Sequence, residues 1–289
     1  MAVKSQQARA GGCDVSSNVE MAAVSKNRTS PSGVTTPRAK TKGAAPSRSK
    51  KRGAEDAAPA ELTVLQTLHH HIAGCTLCPR LREYGENIGR VKRRAYMDQE
   101  YWAKPVPGFG DENARIRIVG LAPGAHGANR TGRPFTGDGA GNFMYPVLYE
   151  MGLATHGNAV SRDDGLKLKH AWIGSVVRCA PPGDKPTPAE VRNCAAHFAA
   201  ESAALPKVKV VVCLGKIAWD GYLAHLLNAG VIRRRSDYTF GHGVEYVLPN
   251  GIRLLGSYHP SLRNTNTGRL NRVMFAKIFV RARELAGLR

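Results

Sequence analysis

Apolar positions are scattered without period through residue 60 and then fall into order. Leu65, Leu68 and Ile72 recur at helical spacing, and Gly74 offers the stop. Four β-rich runs follow, at 116–121 (IRIVGL), 171–177 (AWIGSVV), 208–214 (VKVVVCL) and 253–258 (RLLGSY). The first three are separated by stretches long enough for helices, which predicts βαβ units and a parallel sheet, hence an α/β fold. The fourth follows YTFGHGVEYVLPNG, which reads as a short ribbon turning at Pro249-Asn250-Gly251. One helix start is explicit: Thr187 as N-cap, Pro188 at the first helical position and Glu190 closing a capping box. That helix should bury Val191, Cys194, Ala195 and Phe198. Another helix should follow Gly215, and a last one should run from about Leu270 with Val273, Phe275, Ile278 and Leu285 inward. The triplet His69–His71 is expected on a helix surface.

Composition divides the chain in two. Residues 1–60 are rich in Ala, Ser, Thr, Lys, Arg, Gly and Pro, and no aromatic precedes Tyr84. Such a segment buries too little apolar area to offset its ordering entropy. A disordered basic tail over 1–60 and a folded domain over 61–289 are therefore expected. The tail holds 11 Lys/Arg and 4 Asp/Glu, a net +7, which leaves +13 of the formal +20 for the rest. The folded part is itself basic, and a polyanion, nucleic acid first, is the expected partner. Residues 1–30 lack a compact apolar core, and no run of 18 apolar residues suggests a membrane span. A cytoplasmic, nucleoid-associated protein with no membrane partner is expected, and its thiols should be reduced.

Chemistry gathers where the strands end. In an open parallel sheet, ligands sit beyond the carboxyl ends of the strands. The segments just past the four runs are GLAPGAH, RCAPPGDKP, GK and HPSLRN. The first belongs to GLAPGAHGANRTGRPFTGD at 120–138, a glycine-rich stretch with neither the spacing of a dinucleotide fingerprint nor that of a Walker loop. Pro123 lacks the N–H that a ring of amide donors needs. Glycine also lets backbone approach a flat ligand. Cys75 and Cys78 form a C-x-x-C pair, with Cys179 and Cys194 far downstream. That spacing admits an iron–sulfur cluster, zinc or unliganded thiols, although the second C-x-x-C of a zinc ribbon is missing. Cys213, inside VVVCLG, reads as a small buried hydrophobe, and Cys13 lies in the tail.

Four segments in order, CTLCPRLREYGE, GLAPGAHGANRTGRPFTGDGAG, VVRCAPPGDKPTPAEVRNC and HPSLRNTNTGRL, resemble the iron–sulfur uracil-DNA glycosylases, family five, over roughly residues 65–287. The resemblance implies a three-layer α/β/α sandwich with a four-stranded parallel central sheet. It implies a 4Fe-4S cluster on Cys75, Cys78, Cys179 and Cys194. It also implies an enzyme, monofunctional and monomeric, that flips deaminated bases out of DNA, double- or single-stranded, and hydrolyses the glycosidic bond. Uracil, hypoxanthine and ethenocytosine are the implied bases.

Site residues follow from the same motifs. Gly120 would lie against the base, with Phe135 stacked on its face; Phe135 could instead be a core aromatic. Ala122 stands where family one carries the aspartate tied to the attacking water. Ser175 stands where family four has an asparagine that reads the base edge. Asp138 resembles the family-five catalytic aspartate, and it could also cap a helix at Gly139–Tyr145. Asp184 stands where relatives have asparagine, and could be a turn residue. His259, in His-Pro-Ser, resembles the electrophile near the base oxygen. Ser261, Arg263 and Asn264 should form the loop that enters DNA, and Arg130, Arg178 and Arg263 should meet phosphates. Two other readings stand beside this one: a module that binds damaged DNA without cleaving it, and an iron–sulfur redox protein. The absent dinucleotide fingerprint counts against the second.

Overall fold

The computed structural model describes residues 61–288, so the tail expected over 1–60 lies outside the described residues. Helix α1 (Val64–Ala73) carries a capping box from Thr63 and Gln66 and ends at Gly74, as its spacing predicts. Helix α2 (Pro79–Val91) starts at the second cysteine of the C-x-x-C pair. Strand β1 (Phe109–Gly110) precedes β2 (Ile116–Gly120). The glycine-rich stretch then holds α3 (Ala128–Thr131) and leads into α4 (Gly139–Glu150). Strand β3 (Ala171–Ser175) is followed by α5 (Pro188–Ala203), whose Thr187–Glu190 capping box and leading proline are both present. Then come β4 (Val210–Leu214), α6 (Lys216–Asn228), β5 (Glu245–Val247), β6 (Arg253–Ser257), α7 (Leu262–Asn266) and α8 (Arg272–Ala286).

The sheet has the order β1-β3-β2-β4-β6-β5. Its four central strands are parallel, with Ile118 level with Ile173 on one side and Val212 on the other, and Val212 level with Leu255. The expected four-stranded sheet is therefore its centre. Two short antiparallel strands, β1 against β3 and β5 against β6, complete it. The ribbon before β6 is β5. Phe109–Gly110 is too short to show a period in sequence.

Two apolar layers cover the faces, as a three-layer sandwich requires. Met144, Leu148, Phe275 and Phe279 of α4 and α8 pack on Ile116, Ile118, Val210 and Val212. Leu81, Phe198 and Trp219 of α2, α5 and α6 pack on Val119, Val211 and Cys213. Val273 faces solvent, contrary to its expected place; the inward stripe of α8 is Phe275, Ile278, Phe279, Ala282 and Ala286. His69 is half-buried, its ring 5.7 Å from that of Trp172, so the histidine triplet is not all surface.

One charged residue breaks the apolar pattern of the centre. Arg117, the second residue of β2, points into the α5 layer, where Nη2 meets Glu201 Oε2 at 2.8 Å and the guanidinium lies 4.1 Å from the Phe198 ring. Arg178 Nη2 lies 2.8 Å from the same oxygen. Glu201 has no exposed surface. Burial pushes its carboxyl pKa up, but Arg178 and Arg117 outweigh that and hold it below the ordinary range. Glu201→Gln would leave two buried guanidiniums facing each other without a counter-charge. A loss of about 3–5 kcal/mol in urea unfolding at pH 7 is expected. Because the folded pKa is depressed, this contribution is complete above the unfolded value of about 4.3 and is lost as pH falls through the folded one. The difference between wild type and variant should therefore shrink in acid.

Candidate active site

The parallel order reverses at β2: β3 lies on one side of it and β4 on the other. A cleft should open beyond the carboxyl ends at such a switch point. A cavity of about 560 Å³ lies there, lined by Ala122, Pro123, Gly124, Phe135 and Asp138 after β2, by Ser175 at the end of β3 and by Asp184 beyond it. Gly215 and Lys216 after β4, and Tyr258, His259, Ser261, Arg263, Asn264 and Arg269 after β6, complete the wall. Nine residues expected at a site are thereby brought together: Ala122, Phe135, Asp138, Ser175, Asp184, His259, Ser261, Arg263 and Asn264. Gly120 lies beneath them. A Cβ there would stand 3.0 Å from Phe135 Cζ, so a side chain at 120 would push the ring.

Asp138 serves two purposes at once. It is the N-cap of α4, where Oδ1 accepts from the Gly141 N–H at 2.9 Å. Its other oxygen faces Gly127, where an added Cβ would come within 2.0 Å of Oδ2. Glycine at 127 is thus required by the approach of this carboxylate. Burial raises the Asp138 pKa, opposed by hydrogen bonds from the Gly141 and Ala140 N–H groups and by the charge of Arg130.

His259 is the complementary group. Burial lowers its pKa to about 4, and nearby Asp184 only partly offsets this. The ring is therefore neutral at physiological pH and keeps one N–H to donate. It lies 5.8 Å from the Phe135 ring, centroid to centroid. The Asn264 side chain donates to the His259 carbonyl at 2.8 Å and fixes the loop around it. Phe135 both lines the cleft and packs on the core, so its two readings are compatible. Its φ of +52° is a conformation that aromatic residues seldom hold. Asp184 closes a short turn with φ of +58° and is exposed at the cleft.

Two expected phosphate contacts are corrected. Arg130 is 7% exposed: Nε donates to the His126 carbonyl, Nη2 donates to the Gly137 carbonyl at 2.7 Å, and the guanidinium stacks 3.9 Å from Tyr96. Arg178 is 1% exposed and faces Glu201. A guanidinium committed to internal partners inside the protein has no surface to offer a phosphate. Arg133 is likewise internal, gripping Asp164 through two parallel bonds of 2.8 and 2.7 Å. Burial raises the Asp164 pKa, but the Arg133 hydrogen bond and two backbone N–H groups hold it well below the carboxylate range. Arg263 is exposed at the cleft, as expected. Lys216, in the Gly-Lys pair past β4, and Arg269 were given no role by the sequence reading. Lys216 follows a single glycine after β4, and Arg269 sits 4.6 Å from the Tyr258 ring. Only their basic character and nearness to strand ends could have flagged them.

The four cysteines come to one small void, lined also by Arg82, Arg178, Asn193 and His197. Burial first, then the neighbouring thiols of Cys194, Cys75 and Cys78, pushes Cys179 up to about 12. The Arg178 backbone N–H donates to Cys194 Sγ at 3.3 Å, and Asn193 Nδ2 donates to Cys78 Sγ at 3.6 Å. Among the described residues no three His, Cys, Asp or Glu side chains converge as ligands of one ion. Cys213 is fully buried in β4 and does not line this void.

Residues 107–283 match the uracil DNA glycosylase superfamily. A type-5 uracil-DNA glycosylase of Thermus thermophilus is 51% identical over 218 residues, covering 75% of this chain and 96% of the relative. One from Mycobacterium tuberculosis is 46% identical over 218 residues, covering 75% of this chain and 80% of the relative. A type-4 uracil-DNA glycosylase of Archaeoglobus fulgidus is 36% identical over 114 residues, covering 39% of this chain and 49% of its own.

The electrostatics of the cleft can be read in solution. NMR titration should show the His259 imidazole uncharged at pH 6 and protonated only near pH 4. Asp184→Asn should lower that value further, since Asp184 raises it. A His259 that titrates near 6.5 would show that the cleft is wetter than its burial indicates.

Proposed function

The chain belongs to the type-5 uracil-DNA glycosylases, and from that premise we propose how its cleft divides the chemistry of base removal. The enzyme is a uracil-DNA glycosylase that opens base excision repair. The damaged nucleotide leaves the stack and enters the cleft beyond β2, where Phe135 covers the base and the Gly120 region forms the floor. Breaking the glycosidic bond builds positive charge on the sugar and negative charge on the departing base. The single observation that carries the reading is the placement of two unlike groups on one cleft: the Asp138 carboxylate and the neutral His259 ring. Asp138 stabilises the cationic sugar and orients the attacking water; His259 donates to the base oxygen as its charge grows. Preorganised groups of this kind are worth most where water is excluded.

The rest of the wall fits the same reading. Exposed Arg263, with Lys216 and Arg269 beside it, meets backbone phosphates. Leu262, 57% exposed on the same loop, is an apolar wedge for the gap that the flipped nucleotide leaves. Small side chains at Ala122 and Ser175 leave room for a base larger than uracil, which supports hypoxanthine and ethenocytosine as further substrates. Asp184 sits where a second carboxylate would contact base or water. The protein acts as a monomer on damaged DNA.

Cys75, Cys78, Cys179 and Cys194 would hold a 4Fe-4S cluster. The fit rests on four thiols around one void, with N–H groups donating to two of the sulfurs. A single zinc ion would draw its sulfurs to about 2.3 Å from one point. When bound, the cluster supplies a cross-link of four thiolates between α2, the segment after β3, and α5.

Asp138→Asn should lower the single-turnover cleavage rate on uracil-containing duplex about 10²–10³-fold, with affinity for uncleaved DNA nearly unchanged. His259→Ala should lose less on 5-fluorouracil than on uracil, because that base is the better leaving group. Near-normal rates for Asp138→Asn would move the water-positioning role to Asp184. Equal fractional losses on the two bases would remove His259 from leaving-group stabilisation. Elemental analysis of anaerobically prepared protein should find iron and sulfide. Stoichiometric zinc without iron would reject the cluster, and Cys194→Ser should harm folding more than catalysis.

A further inference from the structure

His126 stands in the loop after β2, two residues beyond Gly124 of the cleft wall, and none of the chemistry above uses it. Its ring is half-buried and meets Tyr101, a residue that is 7% exposed and lies on the segment packed against this loop. That segment is tied down by two backbone bonds, Trp102 N–H to the Arg130 carbonyl at 2.8 Å and Ala103 N–H to the Asn129 carbonyl at 2.9 Å. The Arg93 backbone N–H donates to Tyr101 Oη at 3.4 Å, and Tyr101 Oη lies 3.1 Å from His126 Nδ1. These contacts set the direction of the chain. The hydroxyl already accepts from the Arg93 N–H, and Nδ1 is its one acceptor neighbour among the described residues, so the phenol proton goes to Nδ1. The imidazole is then the tautomer with its proton on Nε2, and that N–H points away from Tyr101 with no partner among the described residues. The Arg93 side chain is exposed and forms no ion pair among the described residues.

Strand order fixes where this group lies. Lys216 follows β4, and Arg263 and Arg269 follow β6, on one side of the switch point. The His126 loop follows β2, and the segment packed against it, residues 101–106, pairs with the segment after β3, where the Val106 N–H donates to the Arg178 carbonyl at 2.7 Å. A strand with one nucleotide turned into the cleft has a phosphate on either side of it. Lys216, Arg263 and Arg269 can meet one of them; Arg130 and Arg178 are both buried and cannot meet the other.

We infer that His126, oriented by Tyr101 and joined by the Arg93 side chain, is the phosphodiester-binding station on the β2 side of the cleft. The proposal rests on the DNA-glycosylase reading above. His126 binds as a neutral donor through Nε2–H, and Arg93 supplies the charge. Burial, then the charges of Arg93 and Arg130, lowers the His126 pKa, which agrees with a neutral ring. Tyr101 is a positioning residue and touches no DNA.

The test is the affinity of the full-length protein for a duplex carrying 2′-fluoro-2′-deoxyuridine, which resists cleavage, measured across a salt series. His126→Ala should weaken binding about tenfold, the scale of one hydrogen bond to a charged group, without changing the slope of log K against log salt. Arg93→Ala should weaken binding and flatten the slope by about 0.9, one released counterion. His126→Gln, which keeps a neutral donor, should recover part of the loss, and Tyr101→Phe should lose part of it. Wild-type affinity for both His126→Ala and Arg93→Ala overturns the proposal. A slope that flattens with His126→Ala shows an imidazolium and overturns the neutral-donor assignment. Wild-type protein that fails to cleave a uracil duplex would instead sink the reading on which the proposal rests, so the two failures are distinct.

Discussion

Glu201 Oε2 lies 2.8 Å from a guanidinium nitrogen of Arg117 and 2.8 Å from one of Arg178, with no water-accessible surface around it. A carboxylate taken out of water is tolerable only with its partners in place. That requirement ties three segments together: β2 through Arg117, the segment after β3 through Arg178, and the last turns of α5 through Glu201. The consequences run toward both working regions. Arg178 directly precedes Cys179 and donates its N–H to Cys194, which lies on α5 two turns before Glu201. Near the start of α5, Glu190 binds Arg80 through 2.7 and 2.8 Å contacts, and Arg80 sits on α2 just past Cys78. The four cysteines are thus brought together by ion pairs at both ends of one helix. The same segment leaves β3 at Ser175, which lines the cleft.

The loop after β2 is built on an inward use of arginine. Arg130 braces carbonyls within the loop, and Arg133 clasps Asp164 across to another segment. The Tyr145 hydroxyl donates to the Pro134 carbonyl at 2.9 Å from the helix behind. With its backbone held this way, the loop can keep Phe135 at positive φ and bring Asp138 against glycine. Such strain persists only where the surroundings over-determine it. The cations that line the cleft and stay exposed come from other elements: Lys216, Arg263 and Arg269.

Within the cleft, exclusion of water acts on Asp138 and His259 in the same sense, toward the uncharged form. For His259 nothing strong opposes it, and the ring stays neutral. For Asp138 the two N–H groups at the start of α4 and the charge of Arg130 oppose it and favour the anion. A helix N-terminus therefore both receives a cap and steadies the carboxylate that caps it. One side chain both caps α4 and lines the cleft, so the two readings of Asp138 are compatible.

The sequence alone determined the central strands, the start of α5, and the rim on which the chemistry lies, because these depend on local period and on short-range caps. It determined the family as well, since CTLCPRLREYGE, GLAPGAHGANRTGRPFTGDGAG, VVRCAPPGDKPTPAEVRNC and HPSLRNTNTGRL stand in order. It left Arg117 hidden inside an apolar run, because its partner Glu201 lies 84 residues away. It assigned Arg130 and Arg178 to phosphates, because a charge in a loop reads as solvated until its neighbours are known. Edge strand β1 has too few residues for a period, and Val273 was turned inward by a spacing that the packing of α8 does not follow. Only the tertiary structure decided which cations face inward, since burial and pairing depend on residues distant in the chain. It alone gave Gly127 its reason, which is the Asp138 carboxylate 2.0 Å from where a side chain would begin.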